Sequence, residues 1–296
     1  MWPIKCKQKL PHNTVFNQVR LNMASFTFIC FLFLIANQFA QAQEVYATDQ
    51  SSNRASESVH QTTDSSEAEE DGEFEFSLGA GVIVSPRPYV GTRARVFPIP
   101  AIEIEYKRWF LQGIRGGYSF IQSGAFSGNL FAQVRFRGLE PENSPFLEGM
   151  DARRKSLDAG IEFIYRGRPV GFRATALTDT LGRSKGQEIS LLATSGVPLG
   201  PAGIILVGIG PRWLSHSRVD YYYGIRDYEA TASRPFYVGT STWNLDINVT
   251  GIFNLGSKWR LLALMNREGF GSAIRNSPIV DKTSAYSFVS SLSYVF

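Results

Sequence analysis

The last fourteen residues of the chain, from Thr283 to Phe296, alternate strictly between two kinds of side chain. Because successive side chains of a β-strand point to opposite faces, this pattern predicts a strand with one apolar face and one small, mainly polar face. The apolar face carries Tyr286, Phe288, Leu292, Tyr294 and Phe296, and the other carries Ala285, Ser287, Val289, Ser291, Ser293 and Val295. A terminal strand of this kind that ends on an aromatic residue is typical of the assembly signal of bacterial outer-membrane barrels, here Tyr294 and Phe296. The pattern therefore predicts lipid on one side of the strand and a polar lumen on the other.

The N-terminus indicates export. Four basic residues precede an uncharged run at 24–36, which is followed by the small-x-small sequence Ala40-Gln41-Ala42. Thirteen helical residues span only about 20 Å, which is shorter than the roughly 30 Å hydrocarbon core of a bilayer. Residues 1–42 are therefore predicted to be a signal peptide. Both cysteines, Cys6 and Cys30, lie in this leader, so we expect no disulfide in the mature chain.

The charge is distributed unevenly along the chain. The formal net charge is +4; the leader contributes +4 and residues 43–73 contribute −8, from nine acids and one arginine, which leaves +8 for residues 74–296. Residues 43–73 contain few large apolar side chains, and we predict a disordered acidic extension in the periplasm. The basic remainder is common in barrels beside phosphate-bearing lipid, and no nucleic-acid partner is expected.

From Phe74 onward, short alternating segments are separated by turn residues. This predicts an all-β fold, a transmembrane antiparallel up-and-down β-barrel in the outer membrane. Twelve strands are expected, at about 74–84, 96–107, 109–114, 116–122, 126–137, 156–166, 169–179, 187–198, 202–214, 243–255, 258–270 and 283–296. The segment 109–122 is short for two membrane strands of about 9–11 residues each, so ten strands remain an alternative.

Charged residues recur on the face of these strands that we assign to the lumen. They are Glu103, Glu105, Arg135, Arg137, Asp158, Glu162, Arg166 and Arg173. One interpretation is an ion-pair network that satisfies and fills the interior. The alternative is a narrow pore whose charges select solutes. A barrel of ten to twelve strands is far narrower than porins of about 16–18 strands, so a wide water channel is not expected.

The connections alternate in length. They are short at 122–125, 167–169, 199–202 and 256–258 and long at 138–155, 215–242 and 271–282. Outer-membrane barrels place short turns in the periplasm and long loops outside. The longest loop carries Arg218, Tyr221, Tyr222 and Tyr223. Arginine and tyrosine are enriched at binding hot spots, so these four are candidate contact residues, although such residues are also ordinary in ordered surface loops.

A catalytic or metal site finds little support in the sequence. Of the three histidines, His12 lies in the leader, His60 in the acidic segment and His216 in the longest loop. His216 and Asp220 could be read as a pair that activates a water molecule, but no nucleophile motif accompanies them. Without cysteines or clustered histidines, the mature chain offers no credible zinc ligand set. We predict a protein that is not an enzyme and has no cofactor.

Several local motifs resemble those of one known family. In chain order they are Gly79-Ala80-Gly81, 85–91 (SPRPYVG), Pro98-Ile99-Pro100, 110–118 (FLQGIRGGY), 221–224 (YYYG) and 277–280 (SPIV). Together they are similar to the MltA-interacting protein family, also called MipA/OmpV, across residues 74–296. The resemblance implies an outer-membrane barrel and, for the protein that gives the family its name, a scaffold that joins a lytic transglycosylase to a peptidoglycan synthase. Other members are described as porin-like or adhesive.

The expectation from the sequence is thus a monomeric outer-membrane barrel that acts as a scaffold for peptidoglycan-remodelling enzymes. Its expected partners are outer-membrane lipid, murein hydrolases or synthases, and the barrel assembly machinery. A narrow channel for small solutes or ions, and adhesion through the outer loops, are the alternative functions.

Overall fold

A computed structural model describes residues 74–85, 87–113, 115–135 and 138–296. In these residues twelve antiparallel strands form one closed barrel, which confirms the predicted fold and the preferred strand number. The strands are β1 Phe74–Ser85, β2 Arg95–Tyr106, β3 Trp109–Gln112, β4 Arg115–Ser123, β5 Phe126–Arg135, β6 Ser156–Tyr165, β7 Gly171–Asp179, β8 Gln187–Pro198, β9 Gly203–Leu214, β10 Thr242–Leu255, β11 Trp259–Gly269 and β12 Ser284–Val295. The predicted signal peptide 1–42 and acidic extension 43–73 lie outside the described residues.

The terminal strand closes the barrel. Strand β12 pairs with β1 from Ser77↔Val295 to Val84↔Phe288. The Phe296 N–H adds a hydrogen bond of 3.1 Å to the carbonyl of Phe76. Along β12, Tyr286, Phe288 and Leu292 point outward and are exposed, whereas Ser287, Ser291 and Ser293 are buried inside. The alternation read from the sequence therefore corresponds to the two faces of the barrel wall.

The outward face presents an apolar band to the membrane. Exposed large apolar side chains occur on every long strand, and several rings lie in contact near one rim. These ring pairs are Trp109–Tyr118, Phe126–Tyr165 and Trp259–Tyr294, with centroids 5.0, 4.9 and 5.3 Å apart. Aromatic rings at this height match the interfacial girdle of outer-membrane barrels. The helices in the described part of the chain are all too short or too polar to cross a bilayer.

The short segment at 109–122 forms a hairpin that does not reach the outer rim. Strand β3 has four residues and pairs with β2 only from Glu103 to Tyr106. The carbonyl of Ile102 accepts a hydrogen bond of 2.8 Å from Gly113, so the even-numbered residues of β2 direct their backbone groups toward this edge. Pro98 and Pro100 are also even-numbered residues of β2, so their backbone groups face the same edge. Because proline has no N–H, the stretch of β2 beyond the hairpin carries fewer donors in need of partners within the lipid.

The two ends of the barrel differ. One end carries both termini of the described barrel, Phe74 and Phe296, together with the short turns between strands. Short turns face the periplasm in outer-membrane barrels, so this is the periplasmic end. The opposite end carries long loops that contain helices α1 (His216–Tyr223) and α2 (Ser272–Arg275) and short 3-10 helices at Pro141–Asn143, Pro145–Leu147 and Asp227–Glu229.

The outer loops pack into one structure, which we call the loop cap and which comprises residues 87–94, 138–155, 215–241 and 270–283. Its apolar core includes Tyr89, Leu139, Leu147, Met150, Val219, Tyr222, Tyr223, Ile225, Phe270, Ile274 and Ile279. The Tyr89 hydroxyl donates to the carbonyl of Tyr222 at 3.2 Å, and Ser277 donates to that of Tyr223 at 2.6 Å. The loops therefore form a layer with its own buried core over the outer end of the barrel.

Candidate functional site: a charged lumen beneath a loop cap

The outer half of the lumen contains a network of ion pairs that we call the charged belt. Its members are Arg135, Asp158, Glu188, Arg212, Arg218 and Asp246. Arg135 contacts Asp158 at 2.6 Å and Glu188 at 2.7 Å. Arg218, which comes from α1 of the loop cap, reaches down to Asp158 at 2.9 Å. Arg212 pairs with Asp246 and lies 3.6 Å from Glu188. The belt joins strands β5, β6, β8, β9 and β10 across the interior and connects them to the cap.

A second group lies closer to the periplasmic end, and we call it the lower triad: Arg115, Glu162 and Arg173. The Glu162 carboxylate lies 2.6 Å from each guanidinium, one on each oxygen. Asn129 donates to the same carboxylate at 3.2 Å, and the Arg115 guanidinium lies over the Phe131 ring, 3.9 Å from its centroid. A charged group in the interior requires this combination of opposite charge and hydrogen bonds, because an unpaired one would be strongly destabilising.

The burial of these side chains decides what the interior can conduct. Arg115 is 1% exposed, Asp158 0% and Glu162 1%. A water-filled passage would expose the side chains that line it. At the level of the belt and of the triad, the lumen is therefore packed with protein.

The structure places most of the predicted lumen charges inside the barrel. Glu103, Arg135, Asp158, Glu162 and Arg173 are buried there. The other three predicted lumen charges are not buried in the described interior. Arg166 is half-buried at the periplasmic mouth and donates to the Ser127 hydroxyl at 2.7 Å, and Glu105 is exposed near that mouth and accepts from Gln112 at 3.2 Å. Arg137 lies outside the described residues.

The predicted lumen charges do not include Arg115, Glu188 or Arg212, which all belong to these networks. Arg115 stands between the two short strands predicted at 109–114 and 116–122, where the pattern is weakest, and Glu188 and Arg212 alternate with apolar neighbours along β8 and β9. The same alternation rule would have identified Glu188 and Arg212 as inward-facing. Arg218 had been assigned to the loop surface, and no local pattern indicates that its side chain enters the lumen.

Three of the four candidate contact residues of the longest loop are not on the surface. Arg218, Tyr222 and Tyr223 are 2%, 1% and 1% exposed, because α1 lies in the mouth of the barrel and its side chains pack within the cap. Tyr221 is partly buried and its hydroxyl accepts from the Arg154 N–H at 2.7 Å. The exposed large side chains of this loop are instead Tyr228, Phe236 and Val238.

A buried ion pair fixes the loop cap. Arg153 contacts Glu229 at 2.7 Å, and the same carboxylate accepts from the N–H groups of Asp151 at 2.8 Å and Arg226 at 3.0 Å. Burial by itself opposes ionisation of Glu229, but the hydrogen bonds from Arg153 and the two backbone groups, with the charge of Arg153, outweigh it and lower the pKa of Glu229 to about 2. Glu229 is therefore a carboxylate over the whole physiological range.

The predicted assembly signal lies at the periplasmic end of the barrel, and the His216–Asp220 pair lies at the outer end. Phe296 is 71% exposed at the periplasmic rim, with its ring stacked on Phe76 at 5.2 Å, and Tyr294 contacts the Trp259 ring. Their role in assembly stays a prediction. At the outer end, the Asp220 carboxylate accepts the Gly239 N–H at 2.8 Å, which fixes the loop rather than orienting His216.

Comparisons with known proteins agree with this architecture. The family model for "MltA-interacting protein MipA" matches residues 78–296. The MltA-interacting protein of Escherichia coli K12 is 25% identical over 233 residues, covering 76% of this chain and 91% of that protein. The putative outer membrane protein YiaT of the same strain is 24% identical over 225 residues, covering 75% and 91%. The translocator domain of autotransporter NalP from Neisseria meningitidis is 11% identical with a TM-score of 0.37, covering 92% of this chain and 100% of that one, too distant a likeness for a functional argument.

Proposed function

Since this chain belongs to the MltA-interacting protein MipA family of outer-membrane proteins, we propose that it is a non-enzymatic interaction protein that holds peptidoglycan-remodelling enzymes at the outer membrane. The name of the Escherichia coli relative describes an interaction with MltA for that relative. On this proposal the partner is a murein hydrolase or synthase, and the barrel serves as its anchor.

The observation that carries the proposal is the packed interior. The charged belt and the lower triad bury their charges, and the loop cap covers the outer end with its own apolar core. A barrel whose interior is filled contributes surfaces rather than a passage. The surface that faces the cell wall is the periplasmic end, where Arg168 and Lys258 are exposed on separate turns.

Capture of partners by the mature protein tests the proposal. Purified protein in detergent would be immobilised through the loop cap and exposed to a lytic transglycosylase and a peptidoglycan synthase. Binding is expected, and it should weaken when Arg168 and Lys258 are replaced by glutamate. The matched control replaces exposed Arg226, which lies at the opposite end, and should leave binding unchanged. Binding of neither enzyme, or equal loss in the control, would contradict the proposal.

The alternative of a narrow channel rests on the polar character of the lumen. Charged side chains such as Arg135 line the interior, and charges that line a pore tune its choice of solute. Single-channel recording in planar bilayers separates the two functions. The packed interior predicts a silent bilayer for the native protein, whereas discrete conductance steps whose selectivity shifts in Arg135→Gln would favour the channel.

A further inference from the structure

The periplasmic end of the barrel is strongly basic. The described periplasmic turns and the strand ends beside them carry six cations and two acids, which are Lys107, Arg108, Arg166, Arg168, Lys258 and Arg260, and Glu75 and Glu105. The side-chain balance is therefore +4, and the terminal carboxylate of Phe296 reduces it to +3. Such an excess around one opening attracts acidic groups over distances of about a Debye length, roughly 8 Å at physiological salt.

A concave site lies within this basic end. A cavity of about 230 Å³ is bounded by three arginines and several apolar side chains at the ends of β6 to β9. Arg166, Arg168 and Arg173 line it together with Ile164, Ile204 and Leu206. Arg173 also pairs with Glu162 at 2.6 Å, so the positive side of the cavity is held by the lower triad.

The chain itself supplies a complementary segment. Residues 43–73 carry nine acids and one arginine, and five of the acids, Glu67, Glu69, Glu70, Asp71 and Glu73, immediately precede Phe74. Strand β1 begins at Phe74 on the periplasmic end, so the acidic segment joins the barrel at the basic mouth. A twelve-strand barrel is roughly 20–25 Å across, from the strand spacing and tilt. At about 3.3 Å per extended residue, some eight residues would cross it.

We propose that the acidic segment 43–73 docks on the basic periplasmic mouth of its own barrel, with its carboxylates against Arg166 and Arg168 and its chain across the cavity. Covalent attachment raises the local concentration of the segment to the millimolar range, so even weak ion pairing favours occupancy. This inference goes beyond the proposed function, because it concerns contacts within one chain. An external acidic partner would then have to displace the segment before it could use the same surface.

Engineered cysteines provide the test, since the only cysteines of the chain, Cys6 and Cys30, lie in the predicted leader. The mature protein would carry Ala68→Cys in the acidic segment and Thr194→Cys in the wall of the cavity. The matched control pairs Ala68→Cys with Ser123→Cys, at the end of β4 beside the turn to β5. That turn is nearer to β1 along the rim than the cavity is, and none of the six cations lies on it.

Docking predicts that the disulfide to position 194 forms about tenfold faster than the one to position 123, as expected for a segment held at one site by local concentration. The difference should disappear in 1 M salt and in a variant with Glu67, Glu69 and Glu70 changed to glutamine. Folding of each variant would be verified by its migration on unheated gels. Equal rates at positions 194 and 123, or a preference that survives charge removal, would overturn the proposal without bearing on partner capture.

Discussion

The Arg218 guanidinium on α1 lies 2.9 Å from the Asp158 carboxylate on β6, although sixty positions separate the two residues in the chain. The same guanidinium donates to the carbonyl of Gly186 at 2.8 Å and lies 3.4 Å from Glu188. One side chain of the loop cap thus completes the charged belt inside the barrel. This contact makes the position of the cap and the charge balance of the lumen depend on each other.

Replacement of Arg218 should therefore destabilise both the loop cap and the charged belt. In Arg218→Met, Asp158 and Glu188 keep Arg135 and Arg212 as cationic neighbours among the described residues, and loss of one partner of a buried pair costs about 3–5 kcal/mol. The urea midpoint of the refolded protein in detergent would measure this loss. Arg275→Met serves as the control, because Arg275 is exposed on α2 and its replacement should change stability by less than about 0.5 kcal/mol. Equal effects of the two substitutions would show that the belt does not depend on the cap.

Removing one charge of the lower triad should destabilise the protein more than removing all three. Glu162→Gln removes the carboxylate that neutralises both Arg115 and Arg173 and should cost about 3 kcal/mol or more. The triple change Arg115→Met, Glu162→Leu, Arg173→Met removes all three charges and should be less destabilising than the single change. Urea titration of both variants tests this order. If the triple variant were the less stable, the triad would stabilise the fold by more than charge compensation.

The loop cap should weaken in acid through Glu229. Its pKa of about 2 lies below the ordinary value of 4.5. The stability contributed by the ionised form is therefore complete above about pH 4.5 and is lost as the pH falls toward 2, up to about 3 kcal/mol. The urea midpoints of the native protein and Glu229→Gln should differ at pH 7 and converge near pH 2.5. The exposed Glu142→Gln should follow the native protein at every pH; a constant gap between native and Glu229→Gln would contradict the argument.

Close approach of β8 and β9 predicts that Gly210 tolerates no side chain. A Cβ at this position would overlap the carbonyl oxygen of Leu191 on the neighbouring strand. Gly210→Ala should therefore disturb the pairing of β8 with β9 and reduce stability by about 1–3 kcal/mol. Gly116→Ala is the matched control on another membrane strand, because its nearest neighbour would be 3.6 Å away. Comparable folding yields and urea midpoints for the two variants would refute this explanation.

The carboxyl-terminal ring should matter for assembly more than for stability. Phe296 is largely exposed and packs on the rings of Phe76 and Tyr294, so Phe296→Ala is expected to cost less than about 1 kcal/mol once the protein is folded. If Tyr294 and Phe296 form the assembly signal, the same change should sharply lower the amount of protein in the outer membrane. Phe74→Ala, an equally exposed ring on the same rim, controls for lost lipid contact. Normal membrane levels of Phe296→Ala would exclude the assembly role.

The alternation of side chains was sufficient to predict the barrel. Each strand must present one face to lipid and the other to the lumen. The two-residue period in β12 and in β5 to β7 therefore predicted which side chains share a face, and it predicted the ends of these strands to within a few residues. The same rule assigned Arg135, Asp158, Glu162 and Arg173 to the inward face. It was weak only at β3, whose four residues are too few to display a period.

What the sequence could not show is how inward-facing charges find one another, or that Arg218, Tyr222 and Tyr223 would be buried. Those contacts join residues from separate strands and from a loop helix, and their partners are determined by the shear of the closed barrel and the packing of the cap. A local pattern reports which way a side chain points from its own strand. Only the closed tertiary structure decides what lies opposite, and here it filled the lumen with ion pairs.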